Sequence, residues 1–245
     1  MQTAAAMRHY ETHLAPIYSW MLGDIEAAFA RSAAELEELR LPPAAAALAV
    51  DLGAGLGLHA AALANRGFSV TAIDSSEVLL DELRSRCAAL PIVAINADLE
   101  DFQDFVQRQP AVIVCMGDTL THLPSFAAVE KLLAAVAVSL APGGVFAATF
   151  RDYASKALEG NQRFILVRAD QRRILTCFLE YRQDFVTVHD VLTEQQDGAW
   201  QQRVSNYPKL RLAPEWVAAK LVAHGLKIRR DATQSGMVRI VGAKT

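Results

Sequence analysis

In residues 48–57 (LAVDLGAGLG) a carboxylate, Asp51, is followed by glycines at alternate positions, Gly53, Gly55 and Gly57. Glycine has no Cβ, so such a stretch takes positive φ without strain and lets a ligand lie against bare backbone. The chemistry on offer is recognition of a polar molecule by main-chain N–H groups. Holding that backbone in place requires rigid elements on both sides. Leu48, Ala49 and Val50 before the turn read as a buried parallel strand, and His59, Ala60, Ala61, Ala62 and Leu63 after it as a helix. The first turn of such a helix aims unpaired N–H groups at whatever the turn holds.

Two cofactor classes use a strand, a glycine turn and a helix. The dinucleotide fingerprint is GxGxxG, whose third glycine lets the helix pack on the strand. Here the third glycine comes one residue early, and Leu58 fills the place that fingerprint gives to glycine. This spacing, with Asp51 two residues ahead of Gly53, resembles motif I of class I S-adenosylmethionine-dependent methyltransferases of the small-molecule type. An NAD-linked reductase is the competing reading, and Leu58 argues against it. A second apolar strand, residues 69–73, ends in Asp74, about twenty residues beyond Gly53, the span at which a nucleoside-binding sheet sets a carboxylate on the ribose. Asp74 would alternatively cap the next helix, but Ser75 or Ser76 serves that purpose equally well. A third strand, residues 91–95, runs into Asn96-Ala97-Asp98-Leu99. The resemblance implies that Asp98 accepts from the adenine amino group with the Leu99 backbone along the ring. The alternative is an acidic first turn of the following helix.

A fourth strand, residues 111–115, leads into Met116-Gly117-Asp118-Thr119, where a doubly wound sheet opens its crevice. The cofactor-binding set is therefore Asp51, Gly53, Ala54, Gly55, Gly57, Asp74 and Ser75, with Asp98, Leu99, Met116 and Gly117. Residues 124–139 predict a long apolar helix with Pro124 in its first turn, stopped by Pro142-Gly143-Gly144 before a fifth strand, 145–150. Five strands alternating with helices argue a parallel α/β sheet. A helix over 214–224 and strands over 227–231 and 237–242, joined by Gln234-Ser235-Gly236, form a closing antiparallel hairpin that again looks like the class I methyltransferase fold. The fold class expected is α/β, a Rossmann-like class I sheet with that hairpin, an N-terminal helical lid (1–40), a core (41–150 and 213–245) and an inserted antiparallel β cap (151–212).

The insert is too long for an ordinary strand–helix connection. It reads as strands over 164–168, 174–181, 185–192 and 200–207, with Asp197-Gly198 turning between the last two. Strand parity puts Phe185, Thr187, His189 and Val191 on one face and Val186, Val188, Asp190 and Leu192 on the other, without saying which meets an acceptor. Such an insert serves as an acceptor wall, as a homodimer interface through its edges, or as both. At the N-terminus, Tyr10, Leu14, Ile17, Tyr18, Met21 and Leu22 make a helical stripe divided by Pro16. Packing on the sheet edge and closure over the site both fit it. His9 and His13 stand four apart with no third ligand beside them, so they read as surface histidines and no metal is expected.

Composition sets the outer limits. The 245 residues are 52% hydrophobic, enough for one large core, and the net charge is −3. No basic footprint for nucleic acid appears, because Asp170 and Glu180 interrupt the arginines of 163–182. Cys87, Cys115 and Cys177 form no CxxC pair, and an odd count without a disulfide framework suits a reducing cytoplasm. No run is apolar enough to span a membrane: 124–140 contains Glu130 and Lys131.

Methyl transfer from a sulfonium is an in-line displacement with a neutral leaving group, so alignment and water exclusion carry most of it. Acceptor-side candidates follow the fourth and fifth strands: Asp118, His122, Arg151, Asp152 and Tyr153. His122 is the best base on chemistry, Arg151 the group to orient an acceptor, and Tyr18 a lid residue expected to line one cavity with at least one of Arg151, Tyr153 or His189. The expected acceptor is a small polar or planar metabolite. Nitrogen is preferred to oxygen, since no metal-ligand cluster is visible. An RNA or protein methyltransferase, or a non-catalytic cofactor-binding subunit, remain as alternatives.

Overall fold

A computed structural model describes residues 9–232 and 237–245. Strands β1 (Leu48–Leu52), β2 (Ser69–Asp74), β3 (Ile92–Asn96), β4 (Val112–Cys115) and β5 (Val145–Phe150) form a parallel sheet. The closing strands β10 (Leu226–Ala232) and β11 (Val238–Lys244) complete it in the order β10-β11-β5-β4-β1-β2-β3, with β11 antiparallel to β5. The turn expected at 234–236 lies outside the described residues. The sheet order reverses between β1 and β4, which is where an open α/β sheet places its ligand crevice.

Both faces are covered, which is why β1, β4 and β5 are buried along their whole length. Helices α1 (Tyr18–Leu22), α2 (Ile25–Glu37), α3 (Leu58–Asn65), α4 (Glu77–Arg86), α5 (Phe126–Ser139) and α6 (Pro214–Ala223) follow in chain order. One core joins Leu36, Leu63, Leu80 and Leu83 of α2, α3 and α4 to Ala49 and Val114. The other joins Leu132, Val136, Val217 and Leu221 of α5 and α6 to Phe146 and Phe150. The small residues Ala60, Ala61, Ala62 and Ala64 let α3 lie close against β1 and β2. α5 begins at Phe126, not at Pro124, because the Ser125 hydroxyl accepts from Ala128 N at 3.1 Å and fixes the cap one residue after the proline.

The insert forms a separate antiparallel sheet, β6 (Phe164–Ala169), β7 (Arg173–Tyr181), β8 (Phe185–Gln196) and β9 (Ala199–Leu210), in that order. β8 and β9 run longer than hydrophobic alternation suggests. Asp197 (φ 51°) and Gly198 (φ 80°) make a turn whose twist matches the strands, so the ladder continues to Gln196 and Ala199 through polar residues. The N-terminal segment is not one helix divided at Pro16. It passes through short turns over Tyr10–Leu14 and Ala15–Ile17 into α1, and breaks again at Gly23 (φ 86°) before α2. Leu14 and Ile17 pack on Leu175 and Leu192 of the insert. Trp20 Nε1 donates to Asp170 Oδ2 at 2.5 Å, and Ser19 bonds Glu82 of α4.

Candidate active site

Two cavities adjoin at the carboxyl ends of the parallel strands. The smaller, about 200 Å³, is walled by the glycine turn (Gly53, Ala54, Gly55), by Asp74 and Ser75 after β2, and by Leu99. Met116, Gly117, Thr119 and His122 after β4 complete it, with Tyr18 and Leu22 above. The larger, about 680 Å³, lies between the N-terminal segment and the insert. Tyr18 and Gly117 line both and form the neck between them.

The three glycines have different tasks. Gly53 (φ 77°) passes so close to the β4 loop that a Cβ there would overlap Thr119. Gly57 (φ 92°) is the cap of α3, and a Cβ on it would press on Leu83 Cγ at 2.6 Å, so it serves packing and does not line the cavity. At Gly55 (φ 53°) the nearest atom to an added Cβ is 3.9 Å away, which leaves a cradle open to a ligand. Asp74 clamps this turn: Oδ2 accepts from Gly55 N and Oδ1 from Ser76 N, each at 2.8 Å. The helix cap is Ser76, whose hydroxyl accepts from Leu79 N at 3.5 Å. Burial raises the Asp74 carboxyl, and those backbone donors oppose the rise. Asp51 is buried with Oδ2 unpartnered, and desolvation pushes it up to about 6. Asp98 accepts from Glu100 N at 3.1 Å and caps the turn whose next residue, Leu99, lines the cavity.

The wall of the larger cavity is built around Asp118. This residue takes a left-handed conformation (φ 78°), held by Asp118 N donating to Thr149 O at 2.9 Å and by Thr121 Oγ1 donating to Asp118 O at 2.8 Å. Its carboxylate accepts from Lys209 Nζ at 2.6 Å, from Arg151 N at 2.9 Å and from the Tyr153 hydroxyl at 3.4 Å. Arg151 Nε lies 3.9 Å away. One carboxylate thus joins the ends of β4, β5 and β9. Asp190 and Val188 present the Val186–Leu192 face of β8 to the cavity; His189 faces away and pairs with Glu180 at 3.2 Å.

His9 and His13 are not surface residues: they are 1% and 4% exposed. His9 Nδ1 lies 2.8 Å from Ser205 Oγ and Nε2 3.0 Å from Asp190 Oδ2. Distant strands thus supply the polar partners that burial requires. The rings form a column. His122 stacks on Tyr207 with centroids 5.3 Å apart, Tyr207 on His9 at 4.1 Å, and His9 on His13 at 5.2 Å. Burial first, then the charge of Lys209, holds His122 well below its ordinary pKa, so it is a neutral imidazole at pH 7. Burial, then Asp74, pushes the Tyr18 phenol up to about 12, which keeps it protonated.

Of the residues singled out from sequence, Tyr18, Gly53, Ala54, Gly55, Asp74, Ser75, Leu99, Met116, Gly117 and His122 surround the smaller cavity, and Arg151 lines the larger. Lys209, Tyr207 and Asp190 were not foreseen as site residues. The one available signal was that Tyr207 and Lys209 share a strand face, a cation on an inward parity. Among the described residues no group of three or more His, Cys, Asp or Glu is placed to hold a metal ion, and no helix is long and apolar enough to cross a membrane.

The profile of the methyltransferase domain family matches residues 49–144. No curated protein matches the sequence. Among solved structures, the CcbJ methyltransferase from Streptomyces caelestis superposes with a TM-score of 0.78 at 22% identity, covering 96% of this chain and 98% of that one. SAM-bound CalS10 from Micromonospora echinaspora, an amino pentose methyltransferase, gives 0.76 at 19% identity, over 94% and 96% of the two chains. The sugar N-methyltransferase KedS8 from Streptoalloteichus gives 0.74 at 18% identity, over 94% and 91%.

Proposed function

We propose that this chain, whose residues 49–144 match the methyltransferase domain family, is a class I S-adenosylmethionine-dependent methyltransferase that acts on an amine nitrogen in the polar part of a small-molecule acceptor. The observation that carries this reading is the shared neck: a nucleoside-sized cavity opens at Tyr18 and Gly117 onto a second cavity that holds buried carboxylates. CalS10, an amino pentose methyltransferase, and KedS8, a sugar N-methyltransferase, are similar in fold, which supports nitrogen over oxygen. The carboxylates Asp118, Asp152 and Asp190 along the wall favour a cationic or neutral acceptor and disfavour a phosphate backbone.

The residues present fit the cofactor. Asp74 suits ribose hydroxyls and the open cradle over Gly55 suits a ligand lying on the turn, while Asp51, buried behind the turn, lines neither cavity. When bound, S-adenosylmethionine supplies an activated methyl on a sulfonium. Tyr18 and Gly117 at the neck then define the line along which a nucleophile approaches. Alignment of this kind is worth roughly 7–11 kcal/mol in favourable cases. His122, neutral and on the cofactor side, is our candidate for accepting a hydrogen bond that orients the amine, whose proton leaves to solvent through the larger cavity, and Tyr18, protonated, orients by donating a hydrogen bond. Arg151, more than half exposed, marks the outer rim.

The test is an acceptor screen of the purified chain with matched amine and hydroxyl compounds, reading S-adenosylhomocysteine by mass spectrometry. Turnover of amines at least tenfold above their hydroxyl analogues is expected; preference for hydroxyls would make this an O-methyltransferase. Asp74→Ala should weaken S-adenosylhomocysteine binding at least tenfold by calorimetry, because a buried charge-assisted hydrogen bond contributes about 1.5–3 kcal/mol. Asp74→Asn, which still accepts from Gly55 N, should fall between the two. Unchanged affinity in Asp74→Ala would confine Asp74 to holding the loop.

A further inference from the structure

Resting on that reading of the site, we propose that the acceptor amine is carried on a large, uncharged and mostly apolar body, and not on a phosphorylated or nucleotide-linked carrier. Three features of the larger cavity lead there.

The first is size. At about 680 Å³ it exceeds the cofactor cavity of about 200 Å³ and falls within the range that encloses drug-sized ligands. A single amino sugar or amino acid at the neck would leave much of it empty.

The second is charge. Among the described lining residues the cations are Arg151 and Lys209, and both are directed at one carboxylate: Lys209 Nζ is 2.6 Å and Arg151 Nε 3.9 Å from Asp118 Oδ2. Three carboxylates share the wall, Asp118, Asp152 and Asp190. A phosphate entering here would meet more negative than positive charge, with the positive charge already paired. An uncharged body meets no such penalty, and the amine itself is drawn in.

The third is the apolar wall. Ile165, Leu166 and Val167 of β6 line the cavity, with Leu175, Leu179 and Val188 deeper in. β6 is an edge strand open to solvent on both faces: Phe164 is 58% and Leu166 64% exposed on one, and Ile165 37% and Val167 40% on the other. A contiguous exposed apolar run signals something that covers it. Because this run is continuous with the cavity wall, and the wall offers no cation that is not already directed at Asp118, the covering group is the acceptor's own apolar body, extended along β6 from the amine at the neck. Methylation then follows a group transfer that has already moved the amine-bearing unit from its activated carrier onto that body.

The experiment compares three acceptors with the same amine on the full chain: a free amino sugar, its octyl glycoside and its nucleoside diphosphate ester. The octyl glycoside should show kcat/KM at least tenfold above the free sugar, and the diphosphate ester should fall below it. Leu166→Lys, at an exposed position that folding tolerates, should lower kcat/KM for the glycoside at least fivefold more than for the free sugar. Calorimetric binding of the three compounds to the S-adenosylhomocysteine complex should rank them in the same order. That ranking reads the body preference even if no amine is methylated, an outcome that would overturn the amine reading alone. Preference for the diphosphate ester, or no gain from the octyl chain, overturns the proposal. So does sedimentation showing a dimer that Leu166→Lys dissociates without changing acceptor preference, because β6 would then be a subunit interface.

Discussion

Lys209→Met should lower the melting temperature by roughly 10 °C or more. Lys209 and Asp118 are both nearly buried and 2.6 Å apart. Removing one member of such a pair leaves the other charge uncompensated and costs about 3–5 kcal/mol. In a chain of this size each kcal/mol moves the midpoint by about 2–4 °C. Tyr153 and the Arg151 amide remain to Asp118, but neither brings a full charge into the carboxylate's first contacts. Asp118→Asn with Lys209→Met should recover most of the loss, because asparagine tolerates the left-handed backbone at that position and carries no charge. Thermal scans of the two variants decide it. A Lys209→Met midpoint within a degree or two of wild type would mean that solvent or Arg151 compensates Asp118, and that the pair does not hold the insert on the core.

Deleting residues 1–20 should abolish methyl transfer while S-adenosylhomocysteine affinity falls far less. Leu14 and Tyr18 line the larger cavity, and their loss opens that side to water. The glycine turn, Asp74 and Leu99 are untouched by the deletion. An open site leaves the nucleophile solvated and unaligned, which is the larger part of the barrier. Single-turnover assays beside calorimetry separate the two effects. A truncated chain that folds and turns over normally would show that the segment only packs against the insert.

The glycine turn and the Asp74 position were legible in the sequence because both follow from spacing along neighbouring elements of one sheet. The parallel α/β sheet and its antiparallel closing strands followed from the alternation of strands and helices and from the terminal hairpin. What escaped is what joins distant parts. Asp118 and Lys209 are 91 positions apart, and His9 meets Ser205 across 196. Nothing local marks a histidine on an N-terminal helix as buried when its partners stand on strands near the other end. Strand parity sorted β8 into two faces, but only the docking of the insert says which face is inward. Pro124 was misplaced by one motif overriding another: a proline favours a first turn, yet the serine after it made the better cap.

The column of rings makes one wall of the smaller cavity depend on residues far from it. His122 belongs to the core, Tyr207 to the insert, and His9 and His13 to the N-terminal segment. His122 lines the smaller cavity, and the ring stacked behind it, Tyr207, is braced in turn by His9. A substitution at His9 therefore reaches that wall through two stacked contacts, without altering any side chain that touches what the cavity holds.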